Sequence, residues 1–251
     1  MKCGRKAIMW IALVLCLVCA VLLALALHSR AEHAKPASKD PEGAIAAQED
    51  EDRTVDVPVD FAAWQERNPD VYAWIEYPGT NVDYPIVQSA EDDAYYLRRD
   101  IDGKEAVAGS LYTEHTYNSK TFDDPVTVIY GHNMANRTMF GGLQSHIEAA
   151  DLASTEEYFY VYLPGRILTY RVVGGAPGDD AHILYYNDFS DPTGFSNYFG
   201  NLYAQSGEHV NLPGLLRPSP DDRVVILATC MNGEKYLRYL IIGVLTDDTG
   251  N

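Results

Sequence analysis

The sequence predicts a mainly β domain, either a closed barrel or a sandwich, and three observations support this. About eight short runs rich in Val, Ile and Tyr follow one another between residues 71 and 245. Turn pairs separate them, such as Pro-Gly at 78–79 and Asn-Gly at 232–233. Hydrophobic residues make up 47% of the 251 residues, which is enough to bury a core.

The strand and helix predictions follow from residue type and spacing. The eight predicted strands are residues 71–76, 82–87, 109–112, 126–130, 158–162, 167–173, 223–229 and 236–245. Residues 60–67 predict a short N-terminal helix, and residues 138–150, after the Gly-His segment, predict another. Residues 192–205 predict a third, because apolar side chains recur there at helical spacing. The last helix lies in the connection before the strand that begins at residue 223.

The N-terminal 56 residues are predicted to lie outside this domain. Residues 7–27 form an uncharged apolar run of the length that an α-helix needs to cross a bilayer. Lys2, Arg5 and Lys6 precede it and favour a cytoplasmic N-terminus. The sequence therefore predicts a cytoplasmic segment (1–6), a transmembrane anchor (7–27), a flexible acidic stalk (28–56) and an extracytoplasmic domain (57–251) of a single-pass cell-membrane protein. A cleaved secretory signal is the alternative.

Charge and spacing exclude several classes of function. The chain has 19 Lys and Arg against 36 Asp and Glu, a net charge of −17, so phosphate backbones repel it and nucleic-acid binding is not expected. The spacing of His and Cys matches no zinc pattern, and the acidic run at 91–93 lacks the periodicity of a calcium loop. No metal and no cofactor are predicted.

The position of the cysteines is informative. Cys230 is the only cysteine after the anchor, so it has no intramolecular disulfide partner in the exported domain. Exported proteins usually pair their cysteines or lack them. A lone exported thiol is therefore either a nucleophile or a buried apolar residue, and the cysteine count leaves both open.

Two late strands place Cys230 near an arginine. The Asn-Gly turn at 232–233 predicts a hairpin between the strand that ends at Cys230 and the following strand. If the turn centres on Gly233, Cys230 faces Tyr236 and Ala228 faces Arg238. Cys230 and Arg238 then lie as diagonal neighbours on one face of the sheet, within reach of each other. A slip of one residue would put them on opposite faces.

His132 completes a candidate catalytic set. It follows the strand 126–130 directly after Gly131, whereas the four histidines at 115, 146, 182 and 209 lie in polar contexts and are expected to be solvated. A thiolate attacks carbonyls, a histidine activates it and protonates a leaving amine, and an arginine stabilises an oxyanion. This set predicts acyl transfer through a thioester. No Asp or Asn that would orient His132 is identifiable.

These residues resemble those of the sortases, the membrane-anchored cysteine transpeptidases of Gram-positive bacteria, and most closely class B. LATC resembles the nucleophile motif of the family, and Arg238 occupies its arginine position. The remaining matches follow in the expected order: residues 68–88, YYL at 95–97, GSLY at 109–112 and the histidine segment at 130–143. The predicted helix at 192–205 also fits, because class B sortases carry a helix in the loop before the cysteine strand.

The resemblance implies a fold, a reaction and partners. The fold would be an eight-stranded sortase barrel with an N-terminal helix. Cys230 would cleave a C-terminal sorting signal, NPxTx-like or LPxTG-like, after its Thr, and an amine of a peptidoglycan precursor or cross-bridge would resolve the thioester. His132 would be the acid/base, and Arg238 would hold the substrate and the oxyanion. Leu97 and Thr229 sit where this class lines its peptide groove.

The motif departs from class B at two positions, and three alternatives stay open. Ala228 and Met231 stand where the class often has Ser and an acidic residue, which puts the preferred signal in doubt. A pilus-assembling class B-type sortase would use a pilin lysine as its amine. An L,D-transpeptidase would need Ser-His-Gly-Cys around the nucleophile, which this chain lacks. A non-catalytic surface binding module would have Cys230 buried.

Overall fold

Eight β-strands close into one barrel, so the predicted barrel is confirmed and the sandwich is excluded. The computed structural model describes residues 55–234 and 236–250. The strands are β1 (Val71–Tyr77), β2 (Val82–Val87), β3 (Leu111–Tyr112), β4 (Val126–Tyr130), β5 (Tyr158–Leu163), β6 (Arg166–Asp179), β7 (Val224–Cys230) and β8 (Leu237–Asp248). Their order around the barrel is β1-β2-β3-β4-β7-β8-β6-β5.

Two neighbouring pairs in this barrel are parallel, β2 with β3 and β4 with β7. The pairing of β4 with β7 is in register from Val126 opposite Val224 to Tyr130 opposite Ala228. Because the two strands run in the same direction, the segments that follow them leave at the same end of the barrel. This pairing brings residues about 100 positions apart in sequence to one place, as the 97-residue separation of Asn133 and Cys230 shows.

Four α-helices lie outside the strands of the described chain: α1 (Phe61–Arg67), α2 (Leu143–Ala149), α3 (Ile183–Tyr186) and α4 (Pro192–Tyr203). Side-chain caps start three of them: Asp60 accepts from the N–H of Ala63, His182 accepts from the N–H of Tyr185, and Asp191 accepts from the first turn of α4. Helix α2 begins later than predicted. Arg137 and Met139 have positive φ angles, which a helix cannot contain. Two short 3₁₀ helices span Tyr95–Arg98 and Gly214–Leu216.

Strand β7 is buried on both faces. Val225 and Leu227 belong to the core cluster inside the barrel, whereas Val224, Ile226 and Ala228 belong to a second cluster outside it. Phe195 and Phe199 of α4 lie in that outer cluster, so the predicted helix before the cysteine strand covers the outer face of the barrel. Residue alternation places Cys230 on the same outer face as Ala228, at the strand end.

Strand β6 is much longer than predicted, because it continues through a glycine-rich stretch. Glycine weakens a strand prediction, yet here close packing requires it. A Cβ atom at Gly175 would collide with Ile147 and Tyr239, and one at Gly178 would collide with Leu240. The extension lets β6 pair with β8 as far as Asp179 opposite Leu237.

The predicted register of the last hairpin is wrong by two residues. Cys230 lies opposite Arg238, not opposite Tyr236, and Ala228 lies opposite Leu240. Residues 231–236 join the two strands, so the connection is longer than a two-residue turn. The N–H of Met231 donates to the carbonyl of Leu237, which continues the pairing one step past Cys230. A shift of two residues preserves the face, so Cys230 and Arg238 still project to the same side.

The predicted location in a cell membrane, crossed once by residues 7–27, is corrected. No helix within residues 55–234 and 236–250 is long and apolar enough to cross a bilayer. The longest, α4, has 12 residues, whereas a crossing needs about 20. The segments predicted as cytoplasmic (1–6) and anchor (7–27), and most of the predicted stalk (28–56), lie outside the described residues.

Four charged side chains form an ion-pair network at the end of the barrel opposite Cys230. The carboxylate of Asp248, at the end of β8, accepts from Arg166 at 2.7 and 2.8 Å and from Arg223 at 2.7 Å. Asp123 contacts the same two guanidinium groups at 2.9 Å. These hydrogen bonds, from Arg166 first, hold the pKa of the Asp248 carboxyl well below its usual range.

We expect Asp248→Asn to lower the free energy of unfolding by about 3 kcal/mol at pH 7, because it leaves two partly buried arginines without their main partner. A carboxyl whose pKa is lowered by folding stabilises the fold above its ordinary pKa of about 4 and loses that effect as the pH falls further. The variant should therefore approach the wild type in stability as the pH falls below about 4. Urea unfolding at pH 7 and at lower pH measures both.

The matched control is Asp102→Asn, which breaks the exposed pair of Asp102 with Arg67 and should change stability little. Equal stability of Asp248→Asn and wild type at pH 7 would contradict the prediction.

Candidate active site

A cleft of about 240 Å³ opens on the outer face of the barrel, where β4 and β7 end. Its floor is formed by Tyr112, Tyr130 and Ala228, one residue from each of three neighbouring strands. All five residues predicted for the site lie along this cleft: Leu97, His132, Thr229, Cys230 and Arg238. These five residues come from four separate stretches of sequence, which thus meet in one place.

Cys230 is exposed at the end of a strand whose other residues are buried. The alternative in which Cys230 is a buried apolar residue is therefore wrong. Its neighbour across the hairpin is Arg238. A strand end fixes the main chain of a residue while leaving its side chain free to contact a bound molecule, and Cys230 has this arrangement.

His132 directly follows β4 and is oriented by a backbone carbonyl. Gly131 precedes it, and a Cβ atom there would collide with Leu111 and Phe140, so only glycine fits. The Nε2 atom of His132 lies 2.8 Å from the carbonyl oxygen of Leu97. Because a carbonyl only accepts, Nε2 carries the hydrogen, and Nδ1 of the neutral ring is the acceptor. Sequence reasoning could not find this orienting group because every residue has a carbonyl.

Arg238 forms no ion pair within the part of the chain that the structure describes. The only hydrogen bond of its guanidinium among the described residues is 3.3 Å long, from Nη1 to the carbonyl of Leu237. A partly buried guanidinium normally binds a carboxylate, as Arg166 and Arg223 do with Asp248. Arg238 therefore lines the cleft with most of its donors unused by the described residues.

Leu97 and Thr229 contribute to the cleft in different ways. Leu97 is 40% exposed and offers an apolar wall, while its carbonyl binds His132. Thr229 is only 2% exposed, and its Oγ1 atom has no hydrogen-bond partner in the described residues. A buried hydroxyl without a partner is uncommon, and it lies next to Cys230 in sequence.

A His182–Glu114 pair at the other end of the cleft was missed by sequence analysis, which expected His182 to be solvated. Nε2 of His182 lies 3.0–3.1 Å from the carboxylate of Glu114. Nδ1 accepts from the N–H of Tyr185, so Nε2 carries the hydrogen that Glu114 accepts. Burial raises the pKa of the Glu114 carboxyl. The two residues are far apart in sequence, and no motif connects them.

No group of three or more His, Cys, Asp or Glu in the described ranges has the geometry of a metal site. The side chains of the cleft supply a thiol, an imidazole with one free nitrogen and a guanidinium.

Sequence comparison finds relatives of one kind. No model of a protein family matches the chain. It is 30% identical over 174 residues to sortase B of Listeria monocytogenes serovar 1/2a, which covers 68% of this chain and 67% of that protein. It is 27% identical over 88 residues to sortase B of Staphylococcus aureus, which covers 35% of each.

Solved structures show the same barrel. Sortase B of Clostridium perfringens matches with a TM-score of 0.62 and 24% identity over 74% of this chain and all of that one. A Bacillus anthracis protein similar to sortase B matches with a TM-score of 0.62 and 25% identity, covering 74% of this chain and 82% of that one. The same barrel, a relative of 30% identity over two thirds of its length, and a cleft with an exposed cysteine establish that the chain belongs to the class B sortases, a family of cysteine transpeptidases.

Proposed function

We propose that this sortase cleaves a C-terminal sorting signal, NPxTx-like or LPxTG-like, after its Thr and transfers the protein to an amine of a peptidoglycan precursor or cross-bridge. The observation that carries the proposal is that Cys230, His132 and Arg238 line one cleft on the outer face of the barrel. A Staphylococcus aureus sortase B has been solved as a substrate complex, and it matches this chain with a TM-score of 0.62 and 18% identity over 74% of this chain and 84% of that one.

Cys230 is the proposed nucleophile, and His132 the acid/base. Nδ1 of His132 takes the thiol proton, and the sulfur attacks the Thr carbonyl carbon. The C–N bond breaks, the leaving amine takes the proton from His132, and a thioester remains on Cys230. The acceptor amine then attacks the thioester, and the thiol is restored as the new amide bond forms. The hydrogen bond of Nε2 to Leu97 supports this assignment, because it keeps Nδ1 unprotonated in the neutral ring.

Arg238 is proposed to bind the oxyanion that develops on the Thr carbonyl. Two facts support this role: Arg238 lies directly opposite Cys230 in the hairpin, and none of the ion pairs among the described residues uses its guanidinium. A planar donor group held beside the reacting carbonyl stabilises negative charge without reorganising during the reaction.

Leu97 and Thr229 are proposed to contact the sorting signal. Leu97 would supply apolar contact to the peptide, and its backbone would hold His132 at the same time. Thr229 would contribute main-chain atoms beside Cys230, because the alternation that places Cys230 on the outer face turns the buried Thr229 side chain toward the barrel interior. The catalytic domain is proposed to span residues 57–251.

A direct assay tests the proposed reaction. The purified protein is incubated with peptides that carry NPxTx or LPxTG sequences, together with an amine such as triglycine, and mass spectrometry identifies the products. The expected result is cleavage after Thr and formation of a new amide with the amine. Cleavage elsewhere, or no cleavage of any peptide, would contradict the proposal.

Cys230→Ala should abolish both cleavage and transfer while the melting temperature stays within the wild-type range, because Cys230 is exposed and its loss leaves no cavity. With wild type and no amine, hydroxylamine should trap the acyl group from the thioester. Turnover by the alanine variant, or the absence of a trapped acyl group, would rule out covalent catalysis by Cys230.

Arg238→Lys should reduce kcat/KM nearly as much as Arg238→Ala, by about 10²–10³-fold, because lysine keeps the charge but lacks the planar set of donors. The melting temperature should stay near that of wild type, because Arg238 holds no carboxylate in the described chain. Arg67→Lys, at an exposed ion pair outside the cleft, is the matched control and should leave the rate unchanged. An Arg238→Lys enzyme within about threefold of wild type would remove Arg238 from the mechanism.

A further inference from the structure

The side chain of Asn133 joins the segment that carries His132 to the strand that carries Cys230. Its Nδ2 atom donates to the main-chain carbonyl of Cys230 at 2.7 Å and to Oδ1 of Asn232 at 2.9 Å. Asn133 is the residue after His132. One amide group therefore links the two proposed catalytic residues through their backbones.

The bond to Cys230 replaces a missing step of the β-ladder. Strands β4 and β7 pair in parallel up to Tyr130 and Ala228, and the N–H of Gly131 still donates to the carbonyl of Ala228. In a regular parallel ladder the next bond on this side would run from the N–H of residue 133 to the carbonyl of Cys230. The chain turns away after Gly131, and the side-chain amide of Asn133 makes the bond instead.

Backbone hydrogen bonds hold the segment that contains His132 and Asn133, so the side-chain amide of Asn133 extends from a fixed main chain. Asn133 forms an antiparallel bridge with Met139, and the N–H of Phe140 donates to the carbonyl of His132 at 3.0 Å. A Cβ atom at Gly141 would collide with the main chain of Met134, so the turn closes tightly on itself. A shift of the Cys230 carbonyl relative to this segment must break the bond to Asn133.

The peptide group after Cys230 is held on both sides: its N–H, that of Met231, donates to the carbonyl of Leu237 at 3.1 Å, and its carbonyl accepts from Asn133. After Cys230 the chain enters the loop of residues 231–236, where Gln144 Oε1 accepts from the N–H of Asn232 at 3.1 Å. That contact holds the loop from the side of α2, but it does not touch Cys230. The bond from Asn133, in contrast, reaches the carbonyl of Cys230 itself, the proposed nucleophile.

We propose that Asn133 is a positioning residue of the transpeptidation reaction: its amide fixes the main chain of Cys230 against the His132 segment and so sets the separation of thiol and imidazole. The inference rests on the proposed function, in which these two groups exchange a proton. Misplacing reacting groups by about 1 Å costs about 10²-fold in rate. Loss of this amide should therefore slow the chemical step more than it weakens substrate binding.

The test compares Asn133→Ala and Asn133→Asp with Asn232→Ala. The aspartate has nearly the shape of asparagine but no donor for the Cys230 carbonyl. Asn232→Ala is the matched control, since it removes the second bond of the amide and keeps the first. We expect kcat to fall about 10–100-fold in both Asn133 variants, with KM within about threefold and the melting temperature close to that of the control. Asn232→Ala should keep most of its activity.

A second measurement needs no substrate. The rate of alkylation of Cys230 by iodoacetamide at fixed pH should fall in both Asn133 variants and not in Asn232→Ala, because the imidazole no longer assists the thiol. If no peptide is cleaved even by wild type but the alkylation rates differ as expected, the proposed substrate is wrong and the positioning role stands.

Three results would overturn the role of Asn133. The first is kcat within about twofold of wild type together with unchanged alkylation. The second is a loss of activity that matches a loss of folded protein. The third is an equal loss in Asn232→Ala.

Discussion

The parallel, in-register pairing of β4 with β7 is the constraint on which the rest of this site depends. The two strands are far apart in sequence, and only their common direction lets the segments that follow them emerge at one end of the barrel. An antiparallel pair would have sent His132 and Cys230 to opposite ends. The hairpin of β7 with β8 then adds Arg238, whose partner in the register is Cys230.

Burial on both faces of β7 leaves only the end of this strand exposed. From Val224 to Thr229 every residue of the strand is buried, and the exposed residue is the last one, Cys230. The outer face is covered by α4 and the residues around it, and the cleft lies where this cover stops. The cleft is bounded on one side by Leu97 and on the other by the chain that follows β6, including His182. Helix α4 thus packs on the outer face of β7, while the strand end that carries the thiol stays exposed.

The sequence predicted the parts of the site that depend on residue type and missed those that depend on backbone geometry. Cys230, His132 and Arg238 could be singled out because a lone thiol, a histidine after a strand and an arginine in an apolar strand are each unusual. The register of the hairpin could not be predicted, because an Asn-Gly pair indicates a turn but does not give the length of the loop around it. A backbone carbonyl orients His132 and has no signal in the sequence. The Glu114–His182 pair also has no signal in the sequence, because it forms only when the fold brings two loops together.

The two ends of the barrel differ in how their polar side chains are paired. At one end, Asp123, Arg166, Arg223 and Asp248 satisfy one another in a closed network of short bonds. At the other end, Arg238 holds no carboxylate and the hydroxyl of Thr229 has no partner, both judged within the described chain. Polar groups left without partners cost folding free energy, and the network at the far end offsets such a cost without constraining the cleft. In the proposed reaction, Arg238 gains a partner when the peptide binds. An arginine already paired with a carboxylate would have to give up that bond before it could stabilise an oxyanion, whereas an unpaired one is ready for the charge that develops in the transition state.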